Sequence, residues 1–418
     1  MPKLTILADD FTGALDTAAK LAGCRIPCFV TSDREITISD LPPDCEVLTI
    51  DTESRHIPPK EAYLLYRNLC RKWEGCSPCI YIKTDSVLRG NLSASLAGAA
   101  DALKCPAAFV PAFPSMGRVT KGGKHFVGGL PLEQSAFAAD PLNPAVTSDI
   151  CQILSRDYPV SAKIIPEGAE IPKMPSRESR QVLLFDCSSD EEIVRIGEKL
   201  KTAGLLRLTA GCAGFAARFP KLLHFKISES QGIGSGGVFL LSGSANSITW
   251  EQLDFGESIG WKVFSPKWTE ILDGNPEPAL CSLESAFRSG DCTALAVSRN
   301  RQQAEGFTEL AASRGMDGRQ LHDAIQRYIQ KLVPAVMERL PVRNLAVFGG
   351  DTLFSAMEAL QCRSLQVQGE IEDGVPFSSV HIHGKDFTII SKSGGLGSIK
   401  VLDTLLASCT LDNQQERI

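Results

Sequence analysis

Short apolar runs that end in polar or glycine-bearing turns, each followed by a stretch of helical periodicity, recur along most of the chain. Residues 4–8 read as a strand and 12 to about 22 as a helix, with further short apolar strands at 29–30 and 47–50. Residues 60–73 repeat at the helical period and place Leu64, Leu65 and Leu69 on one side. A strand at 79–82, a helix at 92–103 and a strand at 107–110 continue the alternation. Between 155 and 179, several prolines and mixed polarity predict loops around a short strand or two. A strand at 182–185, a helix at 191–203 and a strand at 205–209 then restore the rhythm.

The stretch Gln231-Gly232-Ile233-Gly234-Ser235-Gly236-Gly237 interrupts it. A second series follows: a strand at 238–241, a helix from Ile248, a strand at 294–297, one long helical region from 302 to 340, and strands at 345–348 and 387–390. Alternation of this kind predicts an α/β fold, here two α/β domains with largely parallel sheets. The expected domains are 1–225 and 238–418, joined by a linker at about 226–237. Gly232, Gly234 and Gly237 formally match G-x-G-x-x-G, but the dinucleotide motif follows a strand and opens a helix. Here the glycines precede a strand and read as a connector.

Composition narrows the function classes. The 418 residues carry 43 Lys+Arg against 49 Asp+Glu, a formal charge of −6. That balance argues against a phosphate-tracking nucleic-acid binder, which needs a basic face. No run approaches the ~18 apolar residues of a membrane span, and Asp9-Asp10 cut short the first apolar run, so a cytoplasmic protein is expected. The 14 cysteines are dispersed and read as small buried hydrophobes in a reducing compartment. Cys76 and Cys79 have zinc-ligand or redox spacing without a second pair to complete a structural site, and His381 and His383 lack a third ligand, so no resident metal is assigned.

Chemistry gathers where strands end. Ala8-Asp9-Asp10-Phe11-Thr12-Gly13-Ala14 stands at the carboxyl end of the first strand, where ligands bind in open α/β sheets. One aspartate would suffice to cap the helix; two adjacent carboxylates repel unless a cation or substrate hydroxyls engage them. Lys83-Thr84-Asp85-Ser86-Val87-Leu88-Arg89-Gly90-Asn91 offers cations for a carboxylate and polar neutral groups for hydroxyls. Arg55, in the turn after the third strand, and Arg118, in a proline- and glycine-rich loop, are further cations within reach of such a crevice. Asp140–Pro144 reads as a rigid turn.

In the second half, three glycine turns each follow a strand: Ser242-Gly243-Ser244, Phe348-Gly349-Gly350-Asp351-Thr352, and Lys392-Ser393-Gly394-Gly395. Each offers backbone N–H groups to an anion, and Asp351 is a carboxylate that a metal could face. One such turn is common in α/β folds; three in one domain point to a nucleotide site. The chain has no Walker A loop in the first-half glycine region and no G-x-S-x-G elbow.

Taken as an ordered set, Ala8–Ala14, Lys83–Asn91, Phe348–Thr352 and Lys392–Gly394 resemble the four-carbon acid sugar kinase family nearly end to end. The resemblance implies an N-terminal sugar-acid-binding domain, a C-terminal ATP-binding domain, and phosphorylation of the terminal hydroxyl of a C4 acid. It places the acid against Asp9, Asp10, Arg55, Lys83, Thr84, Asp85 and Ser86, with Arg89, Asn91 and Arg118. It places ATP, with Mg²⁺, against Ser244, Gly349, Gly350, Asp351, Thr352, Lys392, Gly394 and Gly395, and Asp9 or Asp10 as the catalytic base. The lysine before Asp85 and the arginine after it depart from the oxo-tetronate pattern and favour a D-threonate or D-erythronate kinase. Glu370–Pro376 also looks like a family signature, without a chemical role. A homodimer is the default assembly. The rival from another class is a non-catalytic sugar-acid or nucleotide sensor with the same fold; ATP turnover with a sugar acid separates the two.

Overall fold

A computed structural model describes residues 1–139, 145–172, 180–229, 232–289 and 292–410. The Asp140–Pro144 turn, part of the 155–179 loop region and Gln231 lie outside the described residues. Contacts divide the chain into two units, Met1–Glu229 and Ser230–Ile418.

The first unit runs β1 (Leu4–Ala8), α1 (Phe11–Ala22), β2 (Cys28–Thr31), β3 (Val47–Asp51), α2 (Pro59–Trp73), β4 (Cys79–Lys83), α3 (Leu92–Leu103) and β5 (Ala107–Val110). A small antiparallel sheet follows, β6 (Arg118–Lys121), β7 (Lys124–Val127) and β8 (Leu130–Pro131). Then come α4 (Ile150–Leu154), β9 (Ser161–Ile165), β10 (Gln181–Phe185), α5 (Asp190–Thr202), β11 (Leu208–Gly211), α6 (Ala213–Ala216) and α7 (Phe219–Leu222). Its main sheet has the order β2-β3-β1-β4-β11-β5-β10-β9, and every pairing is parallel. Strands β1, β3 and β4 are buried at every residue, as strands covered on both faces must be. The register sets Ala8 beside both Asp51 and Lys83, so the turns after β1, β3 and β4 emerge together.

The second unit runs β12 (Gly237–Ser242), α8 (Ser247–Ser258), β13 (Lys262–Phe264), α9 (Trp268–Leu272), α10 (Glu277–Arg288) and β14 (Thr293–Ala296). It continues with α11 (Arg301–Ser313), α12 (Gly318–Arg339), β15 (Val342–Phe348), α13 (Gly350–Ala359), β16 (Ser364–Glu372), β17 (Val375–Ile382), β18 (Lys385–Lys392) and α14 (Val401–Thr410). Its strands order as β13-β14-β12-β15-β18-β17-β16, parallel up to β18 and antiparallel beyond it. Both units are therefore α/β with largely parallel sheets.

Several local expectations are corrected. Leu64 is exposed; α2 instead buries Ala62, Tyr66, Leu69, Cys70 and Trp73, because packing against α3 selects that face. Gly98 of α3 makes the approach possible, since a Cβ there would stand 2.4 Å from the Tyr63 carbonyl oxygen. The strand expected at 205–209 begins only at Leu208. The single helical region from 302 to 340 is two helices, broken by Gly315 at φ +74° and restarted by Asp317, whose side chain accepts from the Gln320 amide. Four hairpins among the described residues escape the apolar pattern, although their turns carry Gly122-Gly123, Gly128-Gly129, Asp373-Gly374 and His383-Gly384. In all but the Asp373-Gly374 turn, both turn residues have positive φ, the geometry that matches the twist of paired strands.

Candidate active site

Three adjacent strand ends build the polar edge of the first unit. Asp9 and Asp10 follow β1, Arg55 follows β3, and Lys83 ends β4 with Thr84 to Asn91 following it. Asp10 is the N-cap of α1: its carboxylate accepts from the Gly13 amide at 3.1 Å and from the Thr12 hydroxyl at 2.9 Å. Asp9, one residue earlier, is buried and takes the Arg55 guanidinium in two hydrogen bonds, Nε to Oδ2 at 2.9 Å and Nη2 to Oδ1 at 3.0 Å. The same Nη2 lies 3.0 Å from Asp10 Oδ1 and 3.7 Å from Asp85 Oδ1. One arginine thus ties three carboxylates that would otherwise repel.

Asp85 is also engaged by Arg89, Nε to Oδ2 and Nη2 to Oδ1, each at 2.9 Å. Burial pushes Asp85 up, but the Arg89 hydrogen bonds and the Arg55 and Arg89 charges outweigh it and hold the carboxyl well below the usual range. For Asp9 the balance falls the other way. Burial raises it above the ordinary carboxylate value despite Arg55, and Asp10 adds repulsion. Two neighbouring carboxylates therefore differ in proton affinity, a division useful to acid–base chemistry.

Lys83 is different. Its buried ammonium donates to the Thr84 carbonyl at 3.0 Å and, among the described residues, has no carboxylate at ion-pairing distance. The Thr84 hydroxyl beside it is buried with no hydrogen-bond partner. A buried polar group left unmatched costs about 1–3 kcal/mol, so this pair is prepared for a ligand with acceptor oxygens. Gly13 belongs to the arrangement: a Cβ there would fall 2.4 Å from Asp10 Oδ1 and 3.0 Å from Lys83 Nζ. Asp9, Lys83, Thr84, Arg89 and Asn91 line one narrow cavity with Ser54 and Tyr66.

The remaining residues frame this edge. Asn91 uses its amide on the Ser54 and Ile57 carbonyls, at 2.7 and 2.8 Å, and so locks the loop after β4 to the loop after β3. The Ser86 carbonyl lies 2.9 Å from Nε2 of His125 on β7, a ring buried enough that its pKa falls to about 4. The neutral ring donates there, leaving Nδ1 to accept from the Thr120 hydroxyl at 3.3 Å. Arg118, on β6, bonds back to the Met116 carbonyl rather than joining the cluster, and its Nε is buried without a partner. Sequence reasoning misses Asp51, Tyr66 and His125. Asp51 alone carries a signal, as the first residue of the Arg55 turn; burial lifts its carboxyl well above the ordinary range, and its Oδ2 has no partner.

The second unit gathers its three glycine turns at one sheet edge. The register aligns Ser242 with Phe348 and Phe348 with Lys392, so the turns after β12, β15 and β18 lie side by side. Close approach demands glycine. A Cβ on Gly243 would stand 2.1 Å from the Thr352 hydroxyl, and Gly349 adopts φ +118°. The Ser244 hydroxyl accepts from the Asn246 amide at 3.3 Å and from the Thr249 hydroxyl at 3.1 Å. Asp351 is exposed in the first turn of α13, next to Gly349 and Gly350, while Thr352 is buried.

Lys392 sits beneath the third turn rather than in front of it. Its ammonium donates to the Thr249 hydroxyl at 3.1 Å and to the Ser393 and Gly394 carbonyls at 3.3 and 3.0 Å, and lies 4.7 Å from the centre of the Phe348 ring. Burial lowers its pKa to about 8, with Glu372 opposing. Thr249 and Gln252, both missed by sequence reasoning, complete the support. Gln252 donates to the Leu396, Gly397 and Ser398 carbonyls at 3.1, 3.2 and 2.9 Å. The sequence signal for Thr249 is its place three residues after the α8 N-cap Asn246.

Comparison with known proteins agrees with this division. Residues 4–219 match the family model described as a sugar-binding N-terminal domain, and residues 239–402 match the one described as a nucleotide-binding C-terminal domain. A D-threonate kinase of Salmonella typhimurium is 26% identical over 421 residues, covering 96% of each chain. A D-erythronate kinase of Heliobacterium modesticaldum is 26% identical over 440 residues, covering 95% of each. A 3-oxo-tetronate kinase of Burkholderia multivorans is 24% identical, covering 97% of each. The solved structure of a proposed tRNA synthase from Salmonella typhimurium LT2 shares the fold, with a TM-score of 0.81 at 20% identity over 97% of this chain and 99% of that one. With both family models matched in order, the chain belongs to the four-carbon acid sugar kinases, enzymes that use ATP to phosphorylate acid sugars.

Proposed function

We propose that this enzyme transfers the γ-phosphoryl group of ATP to the terminal (4-) hydroxyl of a four-carbon acid sugar, D-threonate or D-erythronate. The observation that carries the reading is the buried Lys83 ammonium, without a carboxylate partner among the described residues, beside the unpartnered Thr84 hydroxyl. Both stand at the sheet edge that also holds Asp9 and Asp10. A monocarboxylate bearing hydroxyls satisfies both groups at once. Arg55 and Arg89 are already paired with Asp9, Asp10 and Asp85, which leaves Lys83 as the cation for the acid.

Phosphoryl transfer asks the protein mainly for positioning and charge neutralisation. The Asp9–Asp10 pair orients the attacking hydroxyl and accepts its proton, and Asn91 and Arg55 keep the surrounding loops from drifting. Backbone N–H groups of the turns at Ser244, Gly350–Thr352 and Gly394–Gly395 receive the phosphates, while the Gly349 amide, bonded to the Lys392 carbonyl at 2.9 Å, holds its turn in place. Mg²⁺ bound with ATP would neutralise phosphate charge. The described residues contain no cluster of three metal-ligating side chains, but exposed Asp351 fits a cation that takes one or two carboxylates together with phosphate oxygens.

The test is ADP release by the purified protein with Mg·ATP and a panel of D- and L-threonate, D- and L-erythronate, and 2- and 3-oxo-tetronate. Turnover on threonate or erythronate, well above the oxo acids, is expected. ATP binding without turnover on any acid would favour a sensor and overturn the proposal.

A further inference from the structure

The Glu370–Pro376 segment takes no part in the function so far described. It comprises the end of β16, the Asp373-Gly374 turn and the start of β17. Its tip lies against the glycine turn after β18. The Glu372 carboxylate accepts the Ser398 amide at 2.6 Å and the Ser398 hydroxyl at 3.0 Å. Glu370 accepts the Gly374 amide at 3.3 Å and closes the tip. Both facing surfaces are glycine. Gly374, at φ +78°, would carry a Cβ 2.8 Å from Leu396 Cδ1, and Gly397, at φ +79°, one 2.9 Å from Glu372 Oε1 and 3.2 Å from Val375 Cγ2. A side chain at Gly374 would crowd Leu396, and one at Gly397 would displace the Glu372 carboxylate from its place beside the turn.

Gln252 and Lys392 hold the same turn by its carbonyls. A turn held by its carbonyls keeps amides for another partner, and an amide array kept in place before the ligand arrives avoids the ordering cost at binding. Ser398 also leads into the final helix, the Val401 amide donating to its carbonyl at 3.2 Å, so Glu372 sets the turn relative to α14.

We infer that Glu372 is a positioning residue for the nucleotide phosphates: the β16–β17 hairpin tip braces the 393–398 turn in the shape that receives them. This rests on the nucleotide reading of that turn.

The test compares full-length E372A, E372Q and S398A with the parent enzyme by hydrogen exchange of residues 393–400 without ligand, by the Kd of Mg·ADP, and by KM for ATP against KM for the acid. In E372A the turn exchanges faster, Mg·ADP binds about tenfold more weakly and the acid KM stays within about twofold. E372Q keeps an acceptor for the Ser398 amide and recovers most of the affinity, and S398A, which loses only the hydroxyl contact, falls between. A brace that served stability alone would lower the Tm and leave Mg·ADP affinity untouched, which overturns the inference, as does an equal shift of both KM values. Should E372A fail to fold, S398A with unchanged exchange and affinity overturns it equally. Should the parent enzyme not bind Mg·ADP, the nucleotide reading falls, and unchanged exchange in E372A still decides against the brace.

Discussion

Arg55 joins Asp9, Asp10 and Asp85 through one guanidinium, so the three carboxylates share one cation. Replacing Asp9 or Asp10 by asparagine separates chemistry from folding, because the amide keeps a side-chain oxygen. In D10N that oxygen still caps α1, and in D9N it still offers Arg55 an acceptor. We expect D9N or D10N to lower kcat by about 10²-fold or more, the range of a lost general base, with the KM for ATP within about threefold. Steady-state kinetics on the acid found in the panel checks this; near-normal turnover in both variants excludes the pair. Lys392 gives a residue-scale pH dependence. Its buried ammonium has a pKa lowered from 10.5 to about 8, so the cation behind the phosphate turn is present below that value and is lost as pH rises through it. Mg·ADP affinity should therefore weaken between about pH 7.5 and 9.5, by up to about tenfold per unit for one proton. K392M should bind more weakly and show a flat profile. An equally steep profile in K392M would assign the titration elsewhere.

At the scale of elements, each site is a set of strand ends aligned by parallel pairing and then tied by side chains from neighbouring segments. Asn91 ties the loop after β4 to that after β3, and His125 brings the small antiparallel sheet onto Ser86. In the second unit the side-chain ties of Thr249 and Gln252 are joined by backbone approaches that only glycine permits. G349A forces a Cβ onto φ +118°, 3.0 Å from the Thr352 hydroxyl and 3.3 Å from the Ser244 amide. Such backbone strain costs about 1–3 kcal/mol. The variant should melt a few degrees lower and lose at least tenfold in Mg·ADP affinity, measured by calorimetry, while its affinity for the acid is kept. Loss of acid affinity to the same degree would mean that the turn supports the fold at large.

For the whole molecule, the acid and the nucleotide are assigned to different units, and that assignment is testable by linkage. A ligand at about 100 times its Kd stabilises the unit it binds by about 2.7 kcal/mol. The acid and Mg·ADP should each raise the Tm of the parent enzyme, G349A should keep only the response to the acid, and a K83M variant only the response to Mg·ADP. K83M that loses both responses would show that Lys83 is not specific to the acid. Among the described residues no helix is long and apolar enough to cross a membrane.

Much of this is legible in one dimension. Alternating apolar runs and helical periods determine a parallel α/β fold because buried strands and amphipathic helices are each recorded locally, residue by residue. The strand-end motifs declare their chemistry because polar residues straight after an apolar strand emerge at a sheet edge. What only the tertiary structure decided were matters of neighbourhood. Leu64 shares the helical period of Leu65 and Leu69, yet the face that α2 buries is chosen by α3. Arg55, Arg89 and Lys83 look alike as cations, yet two are paired with carboxylates and, among the described residues, the third has none at ion-pairing distance. Lys392 reads as a residue that meets the phosphate, yet it lies beneath the turn with its donors on the Thr249 hydroxyl and two carbonyls. Glu372 and Ser398 are 26 residues apart, and no local pattern records their meeting. Periodicity follows from the geometry of one segment, whereas pairing, burial and the sharing of a charge depend on which segments the fold sets side by side.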